Sequence, residues 1–218
     1  NVKALTMEQR ILKRLLDIGL SLVLGILSSP LWIGGMIAVK LYDGGPVIFK
    51  QERATINGRR FQVYKLRTMK QNVENYSATK NDDRITVPGK FLRRTRIDEL
   101  PQLLNVLKGD MTFVGPRPEM IKNIEEYTKE LPEFEYRLRV KAGLTGYAQI
   151  AGKYNTTPKD KLVMDMMYIE QFSVWRDLQL ILQTAGVLLK SDSAEAFDKK
   201  RKKTPYIFPG SDNREEKK

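Results

Sequence analysis

The chain of 218 residues contains neither cysteine nor histidine. Without cysteine it has no disulfide, no thiol nucleophile and no cysteine-ligated zinc site, a composition that fits a reducing compartment. Without histidine it lacks the commonest general base and the commonest transition-metal ligand. A metal ion in this protein should therefore be a hard cation held by oxygen atoms, such as Mg²⁺ or Ca²⁺.

The charge of the chain is strongly unbalanced. Lysine and arginine number 38 and the acids 26, which gives a net charge of +12. Such a charge favours an anionic partner, which is nucleic acid, an anionic membrane surface or a phosphorylated substrate. No helix-turn-helix, zinc or RNA-binding motif is present and the basic residues are spread among acids, so a nucleic-acid partner is not expected.

Residues 18–39 carry no charge. This run of roughly 22 residues is long enough to cross a bilayer as a helix. Ser29-Pro30 interrupts it, because proline removes a helix hydrogen bond and serine hydroxyls can satisfy the carbonyls that are freed. Basic residues flank both ends, so we expect a re-entrant helical hairpin whose ends share one face of the membrane. A straight single-pass anchor and a buried core helix are the alternatives.

The rest of the chain has the pattern of an α+β fold that is mostly helical. Residues 47–51 and 60–65 predict two strands joined through Asn57-Gly58, a hairpin turn signal. The apolar stripe of the last predicted helix fits a core-facing helix as well as one lying in the membrane interface. Helices are predicted over 100–107, 120–131, 134–140, 161–172 and 173–189, a surface loop over 72–83 and a turn or tight loop at 143–146.

Two adjacent acids, Asp98 and Glu99, mark the most informative part of the sequence. Arg93, Arg94 and Arg96 would lower the pKa of both carboxyls and attract phosphate. An ionised aspartate at a helix start can attack phosphorus, and an adjacent acid can hold a Mg²⁺ ion that neutralises a diphosphate. The alternative is helix capping, with Asp98 as the N-cap and Glu99 in the first turn.

Three other positions are candidates for substrate contacts. Pro116 and Pro118 fix the backbone around Arg117, which suits a bidentate phosphate clamp, although a turn with a solvated arginine has the same pattern. The basic residues 65–69 follow a predicted strand and are a weaker phosphate-binding candidate. Asp165 lies among apolar residues and is either a second magnesium- or substrate-orienting acid or a solvated residue on a helix surface.

Taken together, these motifs resemble the bacterial sugar transferases. These are the monotopic phosphoglycosyl transferases that start capsule, exopolysaccharide, O-antigen and glycan assembly. The resemblance extends from about Lys13 to Leu189, and its long, ordered motifs make chance a poor explanation. The segments that carry it are 65–69, 84–86, 98–111, 114–118 and 143–149.

The resemblance implies an architecture and a location. A re-entrant membrane helix broken at Ser29-Pro30 would occupy residues 1–41, with a catalytic domain over 42–190 and a charged tail over 191–218. Amphipathic interfacial helices and a small β-hairpin would surround the catalytic centre. The domain would lie on the cytoplasmic face of the bacterial inner membrane, in contact with membrane lipid.

The resemblance also implies roles for individual residues. Asp98 would be the nucleophile, Glu99 a Mg²⁺ ligand, and the Pro-Arg-Pro element part of the nucleotide-diphosphate site. Lys153 stands where the family usually has arginine, and Ala142 where it usually has proline. The substrate-binding residues would be Lys65, Arg67, Arg93, Pro116, Arg117, Pro118, Lys153 and Asp165.

The implied reaction transfers a sugar-1-phosphate from a UDP-sugar to undecaprenyl phosphate through a covalent phosphosugar-aspartate and releases UMP. A non-catalytic membrane scaffold of a polysaccharide assembly complex is the alternative, against which the intact Asp98, Glu99 and Arg117 speak. The sequence does not identify the sugar. It leaves self-association into a homo-oligomer open.

Overall fold

The structure, a computed structural model, describes residues 6–71, 82–152 and 156–189. The fold is α+β and mostly helical, as the sequence predicts. Most of the predicted loop at 72–83 and all of the predicted tail at 191–218 lie outside these ranges. The elements are α1 (Met7–Leu27), α2 (Ser29–Asp43), β1 (Ile48–Ala54), β2 (Arg60–Leu66), α3 (Val87–Arg94), α4 (Gln102–Lys108), β3 (Thr112–Val114), α5 (Ile121–Glu130), β4 (Gly143–Thr145), α6 (Tyr147–Ala151), α7 (Pro158–Glu170) and α8 (Val174–Leu189).

The two N-terminal helices meet at a bend of 60°. Pro30 has no N–H with which to bond the carbonyl of Ile26, and Ser29 Oγ donates to that carbonyl instead, at 2.7 Å. The predicted break at Ser29-Pro30, and the compensation by serine, are confirmed. In the part of the chain that the structure describes, no single helix is long and apolar enough to cross a membrane, but α1 and α2 together meet that length and composition.

Strands β1 and β2 form the predicted antiparallel hairpin. Ile48 pairs with Leu66 and Ala54 with Arg60. The connection contains Asn57 and Gly58 at φ values of 55° and 72°, a left-handed conformation that asparagine and glycine adopt more readily than other residues. The hairpin prediction is confirmed, although β1 continues three residues beyond the predicted end at residue 51.

Strands β3 and β4 form a second, parallel pair, in which Thr112 pairs with Gly143 and Val114 with Thr145. The expectation of a simple turn or tight loop at 143–146 is therefore wrong. The pairing depends on close backbone approach, because a Cβ on Gly143 would lie 2.1 Å from the backbone nitrogen of Gly115. The pair fixes the start of the loop that carries Pro116, Arg117 and Pro118.

The remaining helix predictions hold with two corrections. The helix predicted over 134–140 is a 3₁₀ helix, Pro132–Arg139, and not an α-helix. The helix predicted over 100–107 begins only at Gln102, so both acids precede it. In α8, Leu180 is buried while Trp175 and Leu182 remain 69% and 72% exposed. One face of α8 therefore packs on the core and the opposite face is apolar and exposed.

The core consists of three groups of side chains. The largest lies between the hairpin, α4, β3, α7 and α8; a second lies under α5 and the 3₁₀ helix; a third joins α2 to β2 and α3. Their buried residues are Phe61, Val63, Leu103, Val106, Met111, Phe113, Val114, Tyr168, Ile169 and Leu180 in the first, Ala54, Ile124, Phe134 and Leu162 in the second, and Val39, Leu66 and Leu92 in the third.

Helix α1 is attached to this body by polar contacts. Lys13 forms an ion pair with Asp177 of α8 and donates to the hydroxyl of Tyr168 at 3.2 Å. Asp17, which is 4% exposed, accepts bonds from Thr112 Oγ1 at 2.9 Å and from the backbone N–H of Phe113 at 3.0 Å. These contacts fix the start of α1 against β3, α7 and α8.

Candidate active site

The two acids occupy a 3₁₀ turn, Ile97–Glu99, between α3 and α4. Arg96, just before the turn, has a φ of 60°, which is uncommon for a residue with a side chain. Asp98 is 7% exposed. The capping alternative is wrong, because the N-cap of α4 is Pro101 and no side chain caps that helix.

Glu99 is held by two cations from different elements. Its Oε1 accepts a hydrogen bond from Lys65 Nζ of β2 at 2.8 Å and another from Arg117 Nη2 at 2.6 Å. Burial raises the pKa of the Glu99 carboxyl, but Arg117 and Lys65 outweigh it and hold that pKa well below its usual range. Glu99 is therefore ionised at every pH at which the protein would work.

Asp98 has the opposite environment. Its Oδ1 is buried and has no hydrogen-bond partner among the residues that the structure describes. Burial, together with the charge of Glu99, raises the pKa of Asp98 to about 6, against the effect of Lys65 and Arg93. The pKa of Glu99 is lowered as predicted, but chiefly by Arg117 and Lys65, with a further contribution from Arg96, one of the predicted arginines. For Asp98 the prediction of a lowered pKa is wrong.

Lys65 and Arg93 complete the charged surroundings of the acids. Burial lowers the pKa of Lys65, although Glu99 opposes the shift. Burial likewise lowers the pKa of Arg93, and Asp98 opposes it. Arg93 is oriented by a hydrogen bond from its Nε to Thr68 Oγ1 at 2.8 Å. Lys65 and Arg93 thus place positive charge beside Glu99, which is hydrogen-bonded, and Asp98, whose Oδ1 is not. This arrangement suits the binding of a phosphate-bearing substrate.

The loop that carries Arg117 is supported from behind by a buried ion pair. Arg137 Nη2 donates to the Arg117 carbonyl at 2.9 Å, and Arg137 Nε donates to Asp165 Oδ2 at 2.9 Å. Both partners of the pair are 2% exposed, so the interpretation of Asp165 as a solvated surface residue is wrong. Sequence reasoning missed Arg137, which is only one basic residue of several in its segment.

A second residue that the sequence did not single out is Asn105. It is fully buried, accepts a bond from the backbone N–H of Tyr64 at 3.0 Å and donates to the carbonyl of Gln62 at 2.7 Å. These bonds join α4 to β2. They fix the distance between the turn that carries the acids and the strand that carries Lys65.

Arg67, a predicted substrate residue, has partners away from this cluster. It forms an ion pair with Asp43 at the end of α2 and donates to the carbonyls of Pro46 and Met69, at 2.6 and 3.2 Å. In the described part of the chain, its guanidinium thus connects α2 to the hairpin and forms no hydrogen bond with Asp98 or Glu99. Lys153, another predicted substrate residue, lies outside the described residues.

The carboxylate oxygens of this site suit Mg²⁺ only when a substrate supplies further ligands. Within the described ranges, no group of three or more acidic side chains is placed to hold a metal ion. Mg²⁺ is commonly bound by one or two carboxylates, substrate phosphates and water. The unpartnered Oδ1 of Asp98 and the Glu99 oxygen not bonded to Lys65 and Arg117 are ligands of that kind. The residues therefore fit a Mg²⁺ ion that binds with a diphosphate.

The chain is similar to known proteins over most of its length. Residues 8–191 match the family model described as bacterial sugar transferase. The UDP-glucose:undecaprenyl-phosphate glucose-1-phosphate transferase of Caulobacter vibrioides is 40% identical over 190 residues, which cover 84% of this chain and 71% of that protein.

Two further relatives are longer than this chain. The UDP-N-acetylgalactosamine-undecaprenyl-phosphate N-acetylgalactosaminephosphotransferase of Aeromonas hydrophila is 39% identical over 82% of this chain and 44% of that protein. The undecaprenyl-phosphate galactose phosphotransferase of Salmonella typhimurium is 37% identical over 86% of this chain and 42% of that protein. The chain thus spans less than half the length of these two relatives.

Proposed function

Since the chain belongs to the bacterial sugar transferase family, we propose that it transfers a sugar-1-phosphate from a UDP-sugar to undecaprenyl phosphate and releases UMP. Its relatives are named as undecaprenyl-phosphate transferases of glucose-1-phosphate, N-acetylgalactosamine phosphate or galactose phosphate, and the first two names include the UDP-sugar. The observation that carries the proposal is the acid pair itself. Asp98 is buried, and its Oδ1 has no hydrogen-bond partner among the described residues; next to it is Glu99, which Lys65 and Arg117 hold ionised.

In the first half-reaction, a carboxylate oxygen of Asp98 attacks the phosphorus next to the sugar. The bond from that phosphorus to the bridging oxygen of the diphosphate breaks, and UMP leaves with that oxygen. The product is an acyl phosphate, a mixed anhydride between the Asp98 carboxyl and the sugar phosphate. Lys65, Arg93 and Arg117 lie around the acids and offset the negative charge of the diphosphate.

In the second half-reaction, a phosphate oxygen of undecaprenyl phosphate attacks the same phosphorus. The bond between phosphorus and the Asp98 oxygen breaks, which forms undecaprenyl diphosphate-sugar and restores the carboxylate. The lipid phosphate is already an anion, so this step needs no general base. A step that needs no general base suits a chain without histidine.

Glu99 is the residue that we expect to hold Mg²⁺, through the oxygen that Lys65 and Arg117 do not engage. A bound Mg²⁺ ion supplies positive charge that stabilises the departing UMP. The role of Arg117 is then twofold, because it both orients Glu99 and presents its remaining N–H groups to the nucleotide diphosphate.

We further propose that α1 and α2 form a re-entrant membrane hairpin, with the rest of the chain on the cytoplasmic face of the bacterial inner membrane. Both helices of the pair are attached to the same folded body, since Asp17 of α1 bonds to β3 and Asp43 of α2 pairs with Arg67. A spanning helix would separate these ends by a hydrocarbon layer of about 30 Å. The exposed apolar side chains suited to lipid contact are Leu22, Val23, Leu24, Ile26, Leu27, Leu31, Ile33, Ile37 and Leu41.

The direct test is UMP release by the purified protein in nanodiscs. UDP-glucose, UDP-galactose and UDP-N-acetylgalactosamine would be compared, each with and without undecaprenyl phosphate and Mg²⁺. We expect sustained release with one donor, dependent on both additions. Without the lipid, intact-mass measurement should show an Asp98 adduct heavier by one sugar-phosphate group, because the second half-reaction has no acceptor.

The matched control is Asp98→Asn, which keeps the shape of the side chain and removes the nucleophile. It should abolish both turnover and the adduct. Turnover without any adduct, or appreciable turnover by this variant, would exclude the covalent role of Asp98. Binding of UDP-sugars without release of UMP would instead favour the non-catalytic scaffold.

A further inference from the structure

A second buried polar atom without a partner lies one helical turn beyond Asp98. Gln102, the first residue of α4, is 2% exposed, and its Nε2 has no hydrogen-bond partner among the described residues. Buried amide groups in native proteins almost always have a partner, and each exception calls for an explanation. The proposed reaction, as described above, gives Gln102 no role.

The unpartnered amide is not a sign of a loosely packed helix. Next to it, Leu103 and Val106 are 6% and 0% exposed and belong to the largest core group. Asn105, in the same helix, uses both its amide oxygen and its amide nitrogen in bonds to β2. Helix α4 is thus firmly placed, and Gln102 Nε2 is the exception in it.

Asp98 and Gln102 are four positions apart on connected helical turns. The backbone N–H of Leu100 bonds to Ile97, and that of Leu103 bonds to Leu100, so the 3₁₀ turn leads directly into α4. Four residues are little more than one turn of such a segment, at about three residues per 3₁₀ turn and about 3.6 per α-helical turn. An unpartnered acceptor and an unpartnered donor therefore lie about one turn apart, and neither has a partner among the described residues.

We propose that Gln102 Nε2 donates a hydrogen bond to an oxygen of the phosphoryl group that Asp98 attacks; this inference rests on the proposed function. A phosphoryl group would give each of the two atoms a partner. The Asp98 carboxylate attacks its phosphorus, and its oxygens accept a hydrogen bond from the Gln102 amide. Lys65 and Arg117 already use donors on Glu99, whereas the donor of Gln102 is unused. Removal of a single preorganised donor of this kind typically lowers kcat about 100- to 1000-fold.

A substitution that keeps the volume separates this role from a structural one. Gln102→Met fills similar space and removes the unpartnered amide, so its melting temperature should equal or exceed that of the wild type. If Gln102 only fills the core, kcat should not change. If Gln102 contacts the phosphoryl group, kcat should fall at least 10-fold in a protein that is no less stable, with a smaller change in KM.

The experiment measures melting temperature, kcat and KM for UDP-sugar turnover, and the rate of Asp98 adduct formation without lipid. The proteins are the wild type, Gln102→Met and Gln102→Glu, with Gln183→Met on the exposed part of α8 as the matched control. We expect kcat to fall in the order wild type, Met, Glu, because Glu adds a negative charge beside the diphosphate. Adduct formation should fall by the same factor, and Gln183→Met should be unchanged.

Unchanged kcat in a stable Gln102→Met variant would overturn this inference and leave the proposed function intact. Absence of both turnover and adduct in the wild type would overturn the proposed function, and the inference with it. If Gln102→Met melts well below the wild type, Gln102→Leu takes its place. A loss of kcat that follows the loss of melting temperature in both variants would assign Gln102 a structural role only.

Discussion

Asp98 and Glu99 are adjacent in sequence, yet their surroundings move their pKa values in opposite directions. Burial raises both, but only Glu99 receives hydrogen bonds from Lys65 and Arg117, so its pKa falls well below the usual range. Asp98 Oδ1 receives no hydrogen bond from any residue in the described ranges, and the pKa of Asp98 rises to about 6. Glu99 therefore remains ionised while Asp98 titrates close to neutral pH, a division of roles that acid pairs in enzymes often show.

The first prediction at this scale concerns the pH dependence of turnover. The attacking form of Asp98 is the carboxylate, so kcat/KM should rise about tenfold per pH unit below a pKa of about 6 and level off above it. Arg93→Gln should move this limb to higher pH, because a cation that favours the ionised form of Asp98 is lost. A profile that is flat between pH 5 and 8 would show that Asp98 does not titrate as described.

The second prediction concerns stability. The pKa of Asp98 is about 6 in the folded chain against an ordinary value of 3.8, so between these values the folded state binds more protons than the unfolded state. Stability is therefore lost as the pH rises through this window. At pH 8, Asp98→Asn should increase the free energy of unfolding by about 1–3 kcal/mol while turnover is abolished.

Denaturant titrations of both proteins at pH 8 and pH 4 would check this. The increase in the free energy of unfolding caused by Asp98→Asn should shrink towards pH 4, where Asp98 is protonated in the folded wild type. A variant that is less stable than the wild type at pH 8 would contradict the description of Asp98 as a buried acid whose pKa is raised by burial.

The sequence indicated the acid pair and its chemistry, but not the environment of each acid. The three nearby arginines suggested a low pKa for both acids. The burial that raises the pKa of Asp98 could not be predicted from neighbouring charges. Lys65 and Arg67 lie in one basic segment, yet only Lys65 reaches Glu99. Arg67 pairs with Asp43, 24 residues earlier, and no local pattern marks that partner.

At the scale of elements, α7 and the 3₁₀ helix Pro132–Arg139 act through the loop that contains Arg117. Asp165 of α7 holds Arg137, and Arg137 holds the Arg117 carbonyl. Glu119 lies 3.9 Å from Arg137, too far for a hydrogen bond. We therefore interpret Asp165 and Arg137 as positioning residues for Arg117.

The third prediction follows from this arrangement. Asp165→Asn removes the hydrogen-bonded partner of the buried Arg137 and leaves Glu119, 3.9 Å away, as an acid that still offsets its charge. The substitution should therefore destabilise the fold by up to about 3–5 kcal/mol, the cost of a fully unpaired buried charge, and lower kcat/KM. Replacing both residues by leucine should cost less stability than the sum of the single changes, because no buried charge is left unpaired.

Thermal unfolding and a Mg²⁺ titration of turnover would check the roles separately. A positioning role predicts that the Mg²⁺ concentration for half-maximal activity does not change in Asp165→Asn. Recovery of activity at high Mg²⁺ would instead make Asp165 a metal ligand, as first considered from the sequence.

Elements with local signals were predicted well, and elements that depend on distant partners were not. The hairpin was predicted from its strands and from Asn57-Gly58, which are close in sequence. Strand β4 was read as a turn because Gly143 and Gly146 are typical of turns. It becomes a strand only through pairing with β3, about 30 residues earlier, and three-residue strands have no pattern of their own.

For the whole molecule, the decisive feature is that both arms of the α1–α2 pair return to one body. Proline and serine predicted the bend, since their effect on a helix is local. The attachments were not predictable, because Lys13 and Asp177 are 164 residues apart. In the proposed hairpin, these attachments, together with that of Asp17, hold both ends on the same side of the membrane.

The last prediction tests this arrangement and uses the absence of cysteine, because every introduced cysteine is the only thiol. Single cysteines would replace Glu8 and Tyr42 at the two ends, and Leu27 at the bend. Glu8 is exposed, and Tyr42 and Leu27 are 49% and 72% exposed in the folded chain. A membrane-impermeant maleimide would be applied to intact spheroplasts and to inverted membrane vesicles.

A re-entrant hairpin predicts labelling of positions 8 and 42 from the cytoplasmic side alone, and of position 27 from neither side, because lipid covers it. A spanning helix would expose positions 8 and 42 on opposite sides, and a chain outside the membrane would leave position 27 reactive. Pro30→Ala restores the N–H that can bond Ile26, so it should move part of the labelling at position 42 to the periplasmic side. Labelling that stays on one side would mean that the contacts of Asp17 and Arg67 hold the hairpin without help from the proline.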